Sequence, residues 1–175
     1  VEARELRHPE AGWVAAQRGA KIARRFGAED LALRWAREAQ ELREEVLQRG
    51  FNAQLGYFTQ ALDGQNPDAA NLLLPTLGLI DARDPRFVST VEAYSKRLVV
   101  DGLMLRYRHD DDFGATTSAF TICSFWWAEA LALMGRLEEA IEVFERVASH
   151  QNPLGLFSED VEPSTGRLLG NFPQA

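Results

Sequence analysis

The stretch Ser118–Ser149, SAFTICSFWWAEALALMGRLEEAIEVFERVAS, decides the fold. Its first half, through Met134, carries Phe120, Ile122, Phe125, Trp126, Trp127, Leu131 and Leu133. They fall on nearly every side of a helix, and a helix apolar all round is one buried on most sides. Gly135 supplies the left-handed stop that helix ends favour. The second half has Leu137, Ala140, Ile141, Phe144 and Val147 at steps of three and four, which predicts an amphipathic helix with these residues inward. Two helices joined by so short a link must run antiparallel. The unit is an αα-hairpin of one buried and one surface helix.

The same unit recurs upstream. Glu10–Phe26 places Trp13, Ala16, Ala20 and Ala23 on one side, with Gly27 as its stop. Glu29–Arg49 follows with Leu31, Trp35, Ala39, Leu42 and Val46 as an apolar stripe, charges opposite, and Gly50 at the end. Asn66-Pro67-Asp68 opens a third helix through Leu72, Leu73, Leu74 and Leu77, with Asp68 suited to its first turn. Pro75 inside it predicts a kink or an early break. Asp84-Pro85 starts a fourth, an N-cap carboxylate followed by proline at the first helical position. Its expected inner face is Val88, Val91, Tyr94 or Ser95, and Leu98. Between helices, Tyr57–Gln60 reads as a short strand, and Leu103–Arg108 alternates as a strand or extended loop does. Short links within pairs and long ones between them predict an all-α chain of three antiparallel helical hairpins in two layers, part of a ring or solenoid.

Composition narrows the function. The chain has 175 residues, with 19 Lys+Arg against 26 Asp+Glu and a net charge of −7, and no basic stripe interleaved with aromatics for nucleic acid. Arg18, Lys21, Arg24 and Arg25 on one helix read as a solvated face. Cys123 is the single cysteine, so no intrachain disulfide forms, and its apolar helix makes it a packed thiol. His8, His109 and His150 lack metal-ligand spacing, and the Asp110-Asp111-Asp112 run lacks the spaced ligands of a calcium loop, so it reads as a solvated turn. No cofactor is implied. No apolar run reaches membrane-spanning length and Val1–Arg4 has no apolar core of a signal peptide, so a cytoplasmic location is the default expectation.

One residue then stands out. In Asn152–Val161 (NPLGLFSEDV) a short apolar run delivers Glu159 onto a turn-rich loop after the last helix. Carboxylates on rigid loops serve glycoside cleavage as general bases. A loop carboxylate can equally be there to accept backbone N–H bonds.

Several motifs occur in one consistent order: Gly50-Phe51-Asn52, Gly56–Gln60, Asp68–Pro75 (DAANLLLP), Asp84-Pro85-Arg86, Arg106-Tyr107, Ala119–Trp126, Gly135-Arg136, Gly155–Asp160 and Gly170–Gln174. Together they resemble glycoside hydrolase family 15, which holds glucoamylases and bacterial trehalases, over about residues 12 to 175. The resemblance implies about half of an (α/α)6 barrel, residues 1–175 being the C-terminal portion of a catalytic domain truncated at both ends. It implies cleavage of an α-glucosidic bond in an oligosaccharide or disaccharide with inversion and Glu159 as general base; from composition and hydropathy, no nucleic-acid or membrane partner is expected. The general acid of such enzymes sits in a Trp-Glu-x-Arg stretch. Glu2-Ala3-Arg4 keeps the Glu-x-Arg part and makes Glu2 the candidate, with Val1 where tryptophan is usual and no Ser-Lys before Trp13. Asp68 and Arg106 are candidates to line the sugar pocket in the family manner. Their bland roles are a helix-start charge and a surface ion pair.

A pyranose has apolar faces and polar edges, so Trp126 and Trp127 are candidate platforms, although at least one must be core. Half a toroid also exposes an apolar face, and self-association through it is expected, with little activity for the isolated chain. Two other functions fit an all-α chain. Gly135–Phe144 has the spacing of a tetratricopeptide helix, but no second copy lies about 34 residues away, as an interaction array requires. A sugar epimerase or lyase could share the barrel, since fold does not fix chemistry.

Overall fold

The computed structural model describes residues 9–110, 114 and 116–174. Helices α1 (Pro9–Arg25) and α2 (Glu29–Arg49) form the first hairpin. Trp13, Ala20 and Ala23 of α1 and Ala32, Ala39 and Val46 of α2 are buried. Gly19 lets the helices close: a Cβ there would lie 2.8 Å from the Trp35 ring. A small hairpin follows, β1 (Phe51–Asn52) against β2 (Tyr57–Phe58), so the expected strand at Tyr57 is present and finds its partner just upstream.

The third predicted helix is in two pieces. Ala69–Leu73 is a 3-10 helix and Leu74–Leu77 a single α turn, α3. Pro75 at the start of α3 accounts for the break, because it cannot donate the bond that would continue the first piece. Helix α4 (Pro85–Arg97) begins as its sequence dictates: Asp84 accepts the Arg86 N–H at 2.9 Å and Pro85 fills the first position. Its buried face is Phe87, Thr90, Val91 and Tyr94. Val88, expected inward, instead lines an outer groove with Ser89 and Glu92. The face is rotated from the expected one because buried Thr90 follows a rule that apolar counting misses. Its hydroxyl donates to Arg86 O at 2.7 Å and accepts Phe58 N–H at 3.0 Å, tying α4 to β2.

Strands β3 (Val99–Val100) and β4 (Leu103–Met104) form a second hairpin. Leu103, Met104 and Leu105 are all buried, so this segment does not alternate but runs through the core. Next come β5 (Ala119–Phe120), α5 (Thr121–Leu133) and α6 (Leu137–Ala148). Strands β6 (Asp160–Val161) and β7 (Leu168–Leu169) complete a three-stranded antiparallel sheet in the order β5-β6-β7.

The hairpins share one core. Arg43 Nε donates to Leu79 O at 3.1 Å and Arg86 Nη1 to Leu47 O at 3.2 Å, bonding the second hairpin to α2. Arg136, at the start of α6, pairs with Glu92 of α4. Phe87, Val91, Tyr94, Leu98, Met104, Cys123 and Leu131 fill the interior where α4, the β3–β4 hairpin and α5 meet. This is the expected all-α arrangement of antiparallel hairpins, a partial helical barrel.

Helix α6 departs from expectation. Ala140, Val143 and Val147 are its buried residues. Leu137, Ile141 and Phe144, expected inward, are exposed at 60%, 56% and 54%. They border a groove of about 420 Å³ between α5 and α6, whose other walls are Phe125, Ala128 and Ala132. The apolar stripe on α6 is thus wider than this chain covers: one edge meets α5 and the other lies open.

Candidate active site

Because the hairpins have their short links at one end, the three long connections, 50–68, 98–120 and 149–171, emerge at the other. Asp68, Arg106 and Glu159 all lie in or at the end of these connections. The charges of Asp68, Arg106 and Asp160 all act on Cys123, in the first turn of α5. The candidates therefore gather around the start of that helix.

Asp68 is 1% exposed and holds several bonds. One oxygen accepts the Ala70 N–H at 2.9 Å, so it caps the 3-10 helix as a helix-start charge does. The other accepts Gln60 Nε2 at 3.3 Å and faces Arg106 Nε at 3.6 Å. That last distance makes an ion pair but not a hydrogen bond. The buried Nε–H of Arg106 has no hydrogen-bond partner. Arg106 O in turn accepts Ala69 N–H at 2.9 Å, which fixes the two residues side by side. Both bland roles are therefore filled, and a spare donor remains.

Tyr94 supports this pair from below. Its fully buried hydroxyl donates to Phe58 O at 2.6 Å and accepts from Asn71 Nδ2 at 2.9 Å and Asp68 N at 3.2 Å. Burial pushes its pKa far up, so it remains a donor at any practical pH. Nothing in the sequence marks Tyr94 or Asn71 as a polar support. An aromatic at a helical core position carries no sign that its hydroxyl serves three partners.

The Glu159 loop is built by local bonds. Asn152 Oδ1 accepts the N–H groups of Leu154 and Leu156, each at 2.9 Å, closing the turn that precedes it. Phe157 packs edge-on against Phe125 of α5, ring centres 5.4 Å apart. Ser158, buried, donates to Asp160 O at 2.6 Å. Main-chain bonds clamp the loop on both sides: Thr121 N to Glu159 O, Glu159 N to Asn171 O and Gln174 N to Phe157 O, each 2.9 Å. The side chain is half-buried, and its Oε2 accepts the Asn171 N–H at 3.0 Å and Asn171 Nδ2 at 2.8 Å. Glu159 thus does accept a backbone N–H, yet only through one oxygen. Among the described residues none donates to Oε1.

Asp160 follows in the central strand of the sheet. Burial first, and then the neighbouring Glu159 charge, raise its pKa, while a hydrogen bond from Ser118 opposes them.

Trp126 and Trp127 are half-buried against the core, and the buried Nε1–H of Trp127 has no partner. Thr121 Oγ1 at the start of α5 is likewise buried and unpaired. Cys123 is fully buried, and burial with the nearby Asp68 charge raises its thiol pKa, as expected of a packed thiol. Glu2 and Asp111-Asp112 lie outside the described residues. Among the described residues no cluster of His, Cys, Asp and Glu could hold a metal, and no helix is long and apolar enough to cross a membrane.

The chain is a partial helical-hairpin barrel with carboxylates at its long-loop end, and comparison with known proteins specifies its family. The model of glycosyl hydrolases family 15 matches residues 10–175, and the chain belongs to that family. It is 42% identical over 166 residues to a trehalase of Mycobacterium tuberculosis, covering 93% of this chain and 24% of that protein. A trehalase of Thermoplasma volcanium is 40% identical over 164 residues, covering 93% and 26%. The chain thus spans about a quarter of the length of these relatives. Among solved structures, a glycosidase carrying a single tyrosine-to-phenylalanine change superimposes with a TM-score of 0.70 at 22% identity, over 90% of this chain and 44% of that one, which supports the fold.

Proposed function

We propose that this chain is the C-terminal portion of the catalytic domain of an inverting α-glucoside hydrolase acting on trehalose, and that it carries the general base, Glu159. The observation that carries the proposal is the Glu159 carboxylate, held by one oxygen on a braced loop, with the Asp68–Arg106 pair in the long connections at the same end of the hairpins. The names of the relatives favour trehalose over malto-oligosaccharides.

Inversion requires a base that activates water on the face of the sugar opposite the leaving oxygen, and an acid that protonates that oxygen. Glu159 takes the base role. A protonated carboxyl roughly 6.5–9.5 Å away must take the other, and Glu2 is the candidate. The guanidinium of Arg106, 36% exposed, offers its terminal N–H groups to a glucosyl hydroxyl, and the buried Asp68 carboxylate orients it. Trp126 and Trp127 offer the sugar an apolar wall from the α5 side.

The test is direct. In the full-length protein, Glu159→Gln is expected to lower turnover on the order of 10²- to 10⁴-fold, the usual contribution of a general base. Proton NMR of early product from α,α-trehalose is expected to show β-glucose and α-glucose in equal amounts, one from the attacked ring and one from the leaving ring. Wild-type turnover by Glu159→Gln, or release of α-glucose alone, refutes the reading.

A further inference from the structure

We infer that Asn171, with Gly170 beside it, is the positioning residue of the catalytic base. The inference rests on Glu159 being that base. A carboxylate on a loop rotates about its terminal bond, and only some rotations aim a lone pair at water poised under the anomeric carbon. Asn171 removes that freedom. Its backbone N–H and its side-chain Nδ2 both donate to Oε2, at 3.0 and 2.8 Å. Two donors from one residue reach a single oxygen from two directions, which sets the plane of the carboxylate. Oε1, with no donor among the described residues, is the oxygen left to take the proton.

Backbone pairing makes the arrangement rigid. The Glu159 N–H donates to Asn171 O at 2.9 Å, so Glu159 and Asn171 are joined by three bonds running both ways. Each strand is anchored again, by β6–β7 pairing at Asp160–Leu169 and by Gln174 N to Phe157 O. Gly170 permits the approach. It has φ +71°, and a Cβ there would lie 2.8 Å from Glu159 Oε2 and 2.9 Å from Glu159 Cβ. Any side chain at 170 would push the carboxylate off its donors as well as strain the backbone.

The step so served balances simply. As the water oxygen bonds to the anomeric carbon, its O–H bond breaks and the proton passes to Glu159 Oε1. The electron pair of the glycosidic bond goes to the leaving oxygen, which takes a proton from the acid. Misplacing the base by about 1 Å costs on the order of 100-fold in such a step.

The experiment uses the full-length enzyme and trehalose, measuring kcat, KM and the thermal midpoint for four variants. Asn171→Ala is expected to lower kcat about 10- to 100-fold while KM stays within about twofold, because the lost contact aligns the base and does not hold sugar. Asn171→Asp, the same size but with an acceptor aimed at an acceptor, is expected to fall further than Asn171→Ala. Gly170→Ala is expected to lower kcat by displacing the carboxylate. Glu159→Gln is the reference that tests the base itself. If Glu159→Gln abolishes turnover while Asn171→Ala and Asn171→Asp keep wild-type kcat, the positioning role is overturned and the base stands. If Glu159→Gln is itself active, the base reading fails, whatever Asn171 does. A fall in kcat that only tracks a lowered thermal midpoint, equal for Ala and Asp, also overturns it.

Discussion

Removing one oxygen atom, in Tyr94→Phe, is expected to be among the most damaging conservative changes in this chain. The ring stays, so no cavity larger than a hydroxyl opens. What goes is the partner of three buried groups: the Phe58 carbonyl at 2.6 Å, Asn71 Nδ2 at 2.9 Å and Asp68 N–H at 3.2 Å. All four residues are buried, so water cannot take the hydroxyl's place. Each orphaned buried group costs about 1–3 kcal/mol. Allowing for some relaxation, the sum is about 3–5 kcal/mol, a large share of the roughly 5–15 kcal/mol that holds a domain together. Tyr57→Phe is the matched control. Its hydroxyl donates only to Gln65 O, at 2.8 Å and partly buried, so its loss is expected to cost about 1 kcal/mol. Urea titrations of the two variants in the same full-length background compare them at equal m. A Tyr94→Phe cost no greater than that of Tyr57→Phe refutes the three-partner account.

Three other outcomes are expected. Asp160 is held above its ordinary value of 3.8 by burial and by Glu159, so its ionisation opposes folding: the cost is absent below 3.8 and grows as pH rises through the folded-state pKa. Asp160→Asn is therefore expected to raise the thermal midpoint at pH 7, by a margin that shrinks toward pH 3.5, as a pH series of melting curves will read. Cys123, buried and with its thiol pKa pushed up, is expected to resist a thiol reagent at pH 8 in the native protein and to react fully in denaturant, followed by mass spectrometry of its peptide. The isolated 175-residue chain is expected to self-associate through the α5–α6 groove, and the double change Ile141→Lys with Phe144→Lys to shift light scattering toward monomer.

How far the molecule is legible in its sequence depends on where each residue's partner lies. Local signals read well: α2 runs from Glu29 to Arg49 and α4 starts on its Asp84-Pro85 signal, because caps and glycine stops act within one turn. Faces read less well. Thr90 displaces Val88 from the core because its hydroxyl bonds both its own helix and β2, a tertiary fact with no periodicity. Ile141 and Phe144 are apolar at the right spacing, yet they face an open groove, since a stripe says how much surface needs cover and not what covers it. The candidate site divides the same way. Glu159, Asp68 and Arg106 stand out as charges in ordered motifs. Asn171 stands in one of those motifs without a role, and Asp160 is only the residue after Glu159. Both acquire meaning from strand pairing, which sets residue 171 against residue 159, twelve positions away in the sequence. A carboxylate can be found in one dimension, but the groups that aim it cannot. For this site, the side chains that orient the chemistry are consequently the ones to mutate first.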